Sequence, residues 1–178
     1  MANDPMTLYD RASAWTADKV AGAANQLDAQ TPCEDWNVRT LLNHMVQTQQ
    51  FFSGKAQGKD VALTPDPPDL IGDDPVGVFA RARQDVIDAF SQPGVIEKTG
   101  PSLSIAFSDA LVHGWDVACA TNQDSEMPEG LAAAAYETIH GRFTDEQRKG
   151  VFRPQVAIAE DASDQEKLLA YTGRDPSR

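Results

Sequence analysis

The chain is poor in positive charge, in cysteine and in long apolar runs, and each shortage removes a class of function. Basic residues number 15 against 27 acidic ones, for a formal net charge of -12. A charge of that sign repels phosphate backbones and anionic lipid, so neither nucleic acid nor a membrane is an expected partner. No stretch approaches the roughly 18 apolar residues that cross a bilayer. The opening MANDPMTLYDRASAW has no basic segment followed by an apolar run, which argues against a secretory signal. The two cysteines, Cys33 and Cys119, are far apart and form no CxxC pair, as expected of free thiols in a reducing cytoplasm. Cys119 lies in a helical pattern and reads as packing. Cys33 sits in the turn-like TPCEDW with no histidine or basic residue nearby in sequence, so no catalytic role is expected of it.

What remains is an ordinary globular balance, 41% hydrophobic and 24% charged over 178 residues. That length suits one domain, residues 1–178, with a substantial core. The expectation is a soluble cytoplasmic protein, monomer or homodimer, that acts on a small molecule. No internal repeat is present. Apolar residues recur at helical spacing in five segments: about Thr7 to Leu27, the run after Asn37 (VRTLLNHMVQTQQFF), about Val76 to Phe90, about Ser104 to Thr121, and about Glu129 to Phe143. Asn37 is a plausible cap for the second helix and Asn122 a plausible stop for the fourth. Between Gly54 and Pro75 the prolines Pro65, Pro67 and Pro68 exclude a long helix. GVIEKTGPS reads as a turn or short extended piece, and the tail after Gly150 as an extended stretch ending in a short helix. The fold class is therefore all-α, a four-helix bundle with short extended segments and a C-terminal tail.

The anomaly lies in the helix from about Ser104 to Thr121. On a wheel of about 100° per residue, Ile105, Val112 and Cys119 mark its buried stripe. Asp116 and Asp109 fall beside that stripe, within about 40°, and His113 at about 80°. Carboxylates there are costly unless something positive meets them. Lys19, Arg39, Arg81, Arg83 and Arg142 are the basic residues of the helical segments, and none is obviously inward. A metal ion answers the problem. Asp109 and His113 are i and i+4, stacked on one face, and His44 on the second helix can add a third ligand across the core. Two imidazoles and one carboxylate suit Zn, Ni, Fe or Co and leave a coordination position open. Asp116 is placed to orient the site from behind. The competing readings are a hydrogen-bonded core histidine at position 113, and an ion pair of Asp109 with an arginine from elsewhere. His44 by itself, at the edge of its helix's apolar face near Phe51, would read as structural, and so would His140.

Three blocks of sequence carry a resemblance. TPCEDWNVRTLLNHMV resembles the first signature of DinB-like and mycothiol-dependent maleylpyruvate isomerase N-terminal domains, with Trp36 followed by His44 on a helix. SDALVHGWDVACATNQ resembles their second signature, a carboxylate four residues before a histidine and then Asp116. FRPQVAIAEDASDQEKLLAYTGRDP is similar to the tail of the actinobacterial metal-binding subfamily. The resemblance implies a four-helix bundle with one divalent metal, zinc above all, held by His44, Asp109 and His113. It implies a low-molecular-weight thiol, mycothiol or bacillithiol, as cosubstrate of an isomerase or S-transferase. Trp36, Phe51 and Trp115 are candidates to line the site. Two departures stand out: the isomerase has glutamate where this chain has Asp109, and it carries a further C-terminal domain, whereas this chain is expected to end soon after the bundle. The alternatives are a hydrolase or lyase that uses a metal-bound water, and a non-enzymatic sensor or structural bundle with a closed, four-ligand site completed by Asp116 or His140.

Overall fold

The computed structural model describes residues 4–33, 35–149 and 151–177. Eight helices follow one another among them: α1 Pro5–Ala23, α2 Val38–Ala56, α3 Pro75–Phe90, α4 Val95–Thr99, α5 Ser102–Ala120, α6 Leu131–Ile139, α7 Asp145–Arg148 and α8 Asp164–Tyr171. The described residues contain no strand, only an isolated antiparallel bridge between Gln30 and Asn37. None of the helices is long and apolar enough to cross a membrane.

The starts of α1, α2 and α3 are written in the sequence. The side chains of Asp4, Asn37 and Asp74 accept the amides of Thr7, Thr40 and Gly77, the third residue into each helix. Pro5 and Pro75 occupy first-turn positions, where no amide proton is needed. Asn122 takes the left-handed conformation, φ 55°, just beyond α5, as expected of it.

Some boundaries differ from the sequence reading. Helix α1 stops at Ala23 instead of Leu27, because the carbonyls of Leu27 and Ala29 turn to accept the amides of Arg39 and Val38, which the start of α2 leaves without intrahelical partners. GVIEKTGPS holds the short helix α4. Helix α6 is shorter than the expected 129–143, entered through Gly130 at φ 80° and followed by Gly141 at φ 73°.

The four long helices form the bundle. Helix α1 packs on α5 and α3, and α2 packs on α3 and α5. Val20 and Ala23 near the end of α1 share a core with Val38 to Val46 at the start of α2, Phe79 and Ala82 of α3, and Val117 near the end of α5. Leu8, Phe52, Phe90 and Leu103 meet at the opposite end. So α1 and α5 run one way while α2 and α3 run the other. Two parallel neighbours such as α2 and α3 need a connection that returns the length of the helix, about 28 Å for 19 residues. The proline-containing stretch 57–74 supplies it. That stretch is pinned to α2: Asn43 accepts the amides of Leu70 and Ile71 at 2.7 and 2.9 Å, and Gln47 donates to Thr64 at 2.7 Å. Helices α6 and α8 pack together, α6 against the outer side of α5.

Candidate metal centre

Helices α2 and α5 are antiparallel neighbours, and a cleft of about 610 Å³ opens beside their contact. Its walls come from the α1–α2 loop (Cys33, Trp36), the crossover (Leu63, Pro65) and the tail (Phe152, Arg174), with His44 and His113 exposed to it.

His44 and His113 meet edge to face with ring centroids 5.0 Å apart. His113 Nε2 lies 3.5 Å from Asp109 Oδ1, and its Nδ1 lies 2.9 Å from Asp116 Oδ2. Donor atoms of His44, Asp109 and His113 all fall within 4.8 Å of one another. Trp36 backs His44, ring centroids 4.8 Å apart. Exposure along α5 keeps Asp116 deepest, as the wheel expects, but reverses the other two: 0% for the Asp116 side chain, 11% for His113 and 27% for Asp109.

The charges shape one another. Burial works against a proton on His113, but the Asp109 charge and the hydrogen bonds to Asp116 and Cys33 outweigh it and push the imidazole up to about 10. Burial, together with the charge on His113, pushes His44 down to about 4. Burial also opposes the charge on Asp116, yet Arg174 and His113 hold its carboxyl well below the usual carboxylate range.

Arg174 is not among the basic residues considered from the sequence, and it is the positive partner that Asp116 lacks in that reading. Its Nε donates to Asp116 Oδ1 at 3.2 Å and its Nη2 to Oδ2 at 2.8 Å, a two-pronged pair inside the protein. Asp116 therefore has a protein counter-charge and needs no metal of its own. Asp109 is only half-buried, so its desolvation is milder than the wheel implied. The basic residues named from sequence serve elsewhere: Arg83 binds Asp10 and Ser13, Arg39 binds Asp69, and Arg81 binds Asp74.

Cys33 has neighbours in space that its sequence context does not show. Far from lacking charged neighbours, its thiol donates to Asp116 Oδ2 at 3.4 Å, and Arg174 Nη2 lies 3.6 Å from the sulfur. Cys33, His113 and Asp116 make a second group with converging donor atoms. The guanidinium already bridges both oxygens of Asp116, so a cation placed there would face a fixed positive charge. Both cysteines are free thiols. Of the three candidate lining aromatics, Trp36 stands on the cleft wall. Phe51 lies two turns past His44 and packs edge to face on Phe52, towards the other end of the bundle. Trp115 is 1% exposed, in the core. His140 stacks on Tyr136, centroids 4.7 Å apart, and neighbours Tyr171.

The family model of the mycothiol maleylpyruvate isomerase N-terminal domain matches residues 9–118. The chain belongs to that family. The matched stretch of this mycothiol maleylpyruvate isomerase N-terminal domain protein runs from α1 to near the end of α5, and so includes His44, Asp109, His113 and Asp116. Two proteins of Mycobacterium tuberculosis, from strains CDC 1551 / Oshkosh and ATCC 25618 / H37Rv, are each 26% identical over 96% of this chain and 98% of their own length. Both are described only as uncharacterized. No solved structure gives a significant match.

The residues present suit a divalent ion. Neutral imidazoles are borderline donors and a carboxylate is a hard one, a mixture that first-row divalent metals accept. Bonds of about 2.1 Å would bring the three donors together with small side-chain adjustments. The hydrogen bond from His113 Nδ1 to a carboxylate is the support that metal-binding imidazoles usually have.

Proposed function

We propose that this protein is a metal-dependent enzyme of the thiol-dependent isomerase or S-transferase type, with His44, Asp109 and His113 as ligands of one divalent ion, zinc or a neighbouring first-row metal. The observation that carries the reading is the convergence of two imidazoles and a carboxylate from α2 and α5, with both imidazoles lining an open cleft. Such an ion supplies activation of a thiol as a nucleophile at neutral pH. The protein's own groups do the rest. Asp116 orients His113, Trp36 backs His44, and the loop and tail segments shape a cleft of the size that holds a small organic molecule.

The structural-site alternative wants a fourth protein ligand and a closed shell. Asp116 is engaged by Arg174, and His140 is stacked on Tyr136 and tilted against Tyr171. Neither supports it, and the cleft favours a position left for substrate or cosubstrate.

The test uses cobalt. Protein loaded with one cobalt ion per chain is titrated with mycothiol. A sulfur-to-cobalt charge-transfer band in the near ultraviolet is expected. A spectrum indifferent to millimolar thiol, with the cobalt still bound, sinks the thiol reading and leaves hydrolytic chemistry.

A further inference from the structure

His44, Asp109, His113 and Asp116 all lie within the matched residues 9–118, but the charge that organises them does not. Arg174 comes from the segment after α8. Its guanidinium grips both oxygens of Asp116, and the same Oδ2 meets His113 Nδ1 at 2.9 Å. Asp116 is fully buried and the Arg174 side chain is 12% exposed. A carboxylate held by two prongs cannot rotate, so the direction from which it receives the imidazole is fixed.

The tail is built to deliver that arginine. Leu168 and Leu169 of α8 are buried in the main core. Gly173 follows at φ 81°, and a Cβ there would lie 2.9 Å from the Arg153 carbonyl oxygen, so the chain turns there only as glycine. The Arg174 amide closes the turn on Leu169 O at 2.9 Å, and its Nη1 donates to Thr172 O at 3.0 Å. Backbone and side chain are thus both fixed before the guanidinium reaches Asp116.

We propose that Arg174 is a positioning residue for His113: through Asp116 it fixes the ring so that Nδ1 donates to the carboxylate and Nε2 faces Asp109 and His44, which makes docking of the C-terminal segment a condition for tight metal binding. The inference rests on the metal reading above. It assigns to the tail a part in the centre that the 9–118 match does not contain. Removing the guanidinium leaves a buried carboxylate that must turn, take a proton or admit water, and the imidazole loses its fixed partner.

The experiment compares wild type, Arg174→Ala and Arg174→Lys as full-length proteins. Cobalt affinity is measured by competition with a chromophoric chelator. Proton NMR of the cobalt-loaded protein follows the shifted, exchangeable imidazole N–H proton that Asp116 shields from solvent. Arg174→Ala is expected to bind cobalt 10- to 100-fold more weakly, with that proton exchanging much faster. Arg174→Lys, which keeps charge but not the fork, should fall between the two. Wild-type affinity and protection in Arg174→Ala would overturn the proposal, as would weaker binding with the proton still fully protected. If Arg174→Ala does not fold, Arg174→Lys decides: affinity and exchange equal to wild type refute the positioning role. Wild-type protein that takes up no ion refutes the metal reading itself, whatever Arg174 does.

Discussion

His44 and His113 face each other edge to face across the α2–α5 contact, ring centroids 5.0 Å apart, with Asp109 Oδ1 3.5 Å from His113 Nε2. Two imidazoles at that distance from a carboxylate gain from sharing one cation. Protein purified without chelators should carry about one divalent ion per chain, as one three-ligand site implies. His44→Ala and His113→Ala should each lose most of it on dialysis while keeping wild-type helical circular dichroism. Elemental analysis of the dialysed proteins checks this. Full stoichiometry and affinity in either variant would show the ligand set to be wrong.

Much of this geometry is legible in the sequence, for a local reason. Helical spacing tells which side chains share a face, and a cap tells where the face begins. Asn37 and the apolar positions Leu41, Leu42, Met45 and Val46 therefore place His44. The stripe of α5 gathers Asp109, His113 and Asp116 on one side with Asp116 deepest, but it puts His113 further out than Asp109, and the structure reverses those two. What periodicity cannot tell is which element arrives from outside. Arg174 and Cys33 lie 58 and 83 residues from Asp116 and reach it from irregular segments that carry no period to read. The parallel pairing of α2 with α3 is hidden for the same reason: the apolar faces are plain, and their partners are not.

In metal-free protein the centre should make stability fall with rising pH. Burial disfavours the charged imidazole of His113, but Asp109 and Asp116 prevail and raise it from 6.5 to about 10. A raised pKa contributes stability fully below the unfolded value and loses it as pH climbs through the folded one. The loss should fall between about pH 6.5 and 10, at no more than about 1.4 kcal/mol per pH unit. Urea unfolding of chelator-treated protein at several pH values measures it. A flat stability across that range would mean that His113 is neutral in the metal-free fold.

Cys33→Ser tests the rival donor group. Arg174 already spans both oxygens of Asp116, so the Cys33, His113 and Asp116 cluster should hold no ion. The variant should keep wild-type metal content and affinity. A tenfold or greater loss of affinity, read by chelator competition, would instead put the sulfur in the coordination shell.

Gly114 tests the packing that sets the centre in place. It sits beside His113 where α5 crosses α1, and a Cβ there would lie 2.7 Å from a Trp15 ring carbon and 3.2 Å from Thr16 Cβ. Thr16 cannot step aside, being fully buried with its hydroxyl donating to Ala110 O at 2.9 Å. Alanine in place of glycine would favour an isolated helix by up to about 1 kcal/mol, whereas overpacking a closed contact costs about 1–3 kcal/mol. Overpacking should win, so Gly114→Ala should be less stable by up to about 2 kcal/mol, the overpacking cost less the helix gain. Because the strain is relieved by moving α5 relative to α1, and α5 carries Asp109 and His113 while α2 carries His44, metal affinity should fall together with stability. Thr16→Ala, which removes the blocking hydroxyl, should restore part of both in the double variant. Urea midpoints and chelator competition on the single and double variants read the two effects. A Gly114→Ala protein as stable as wild type would show that α1 and α5 are looser than these distances imply.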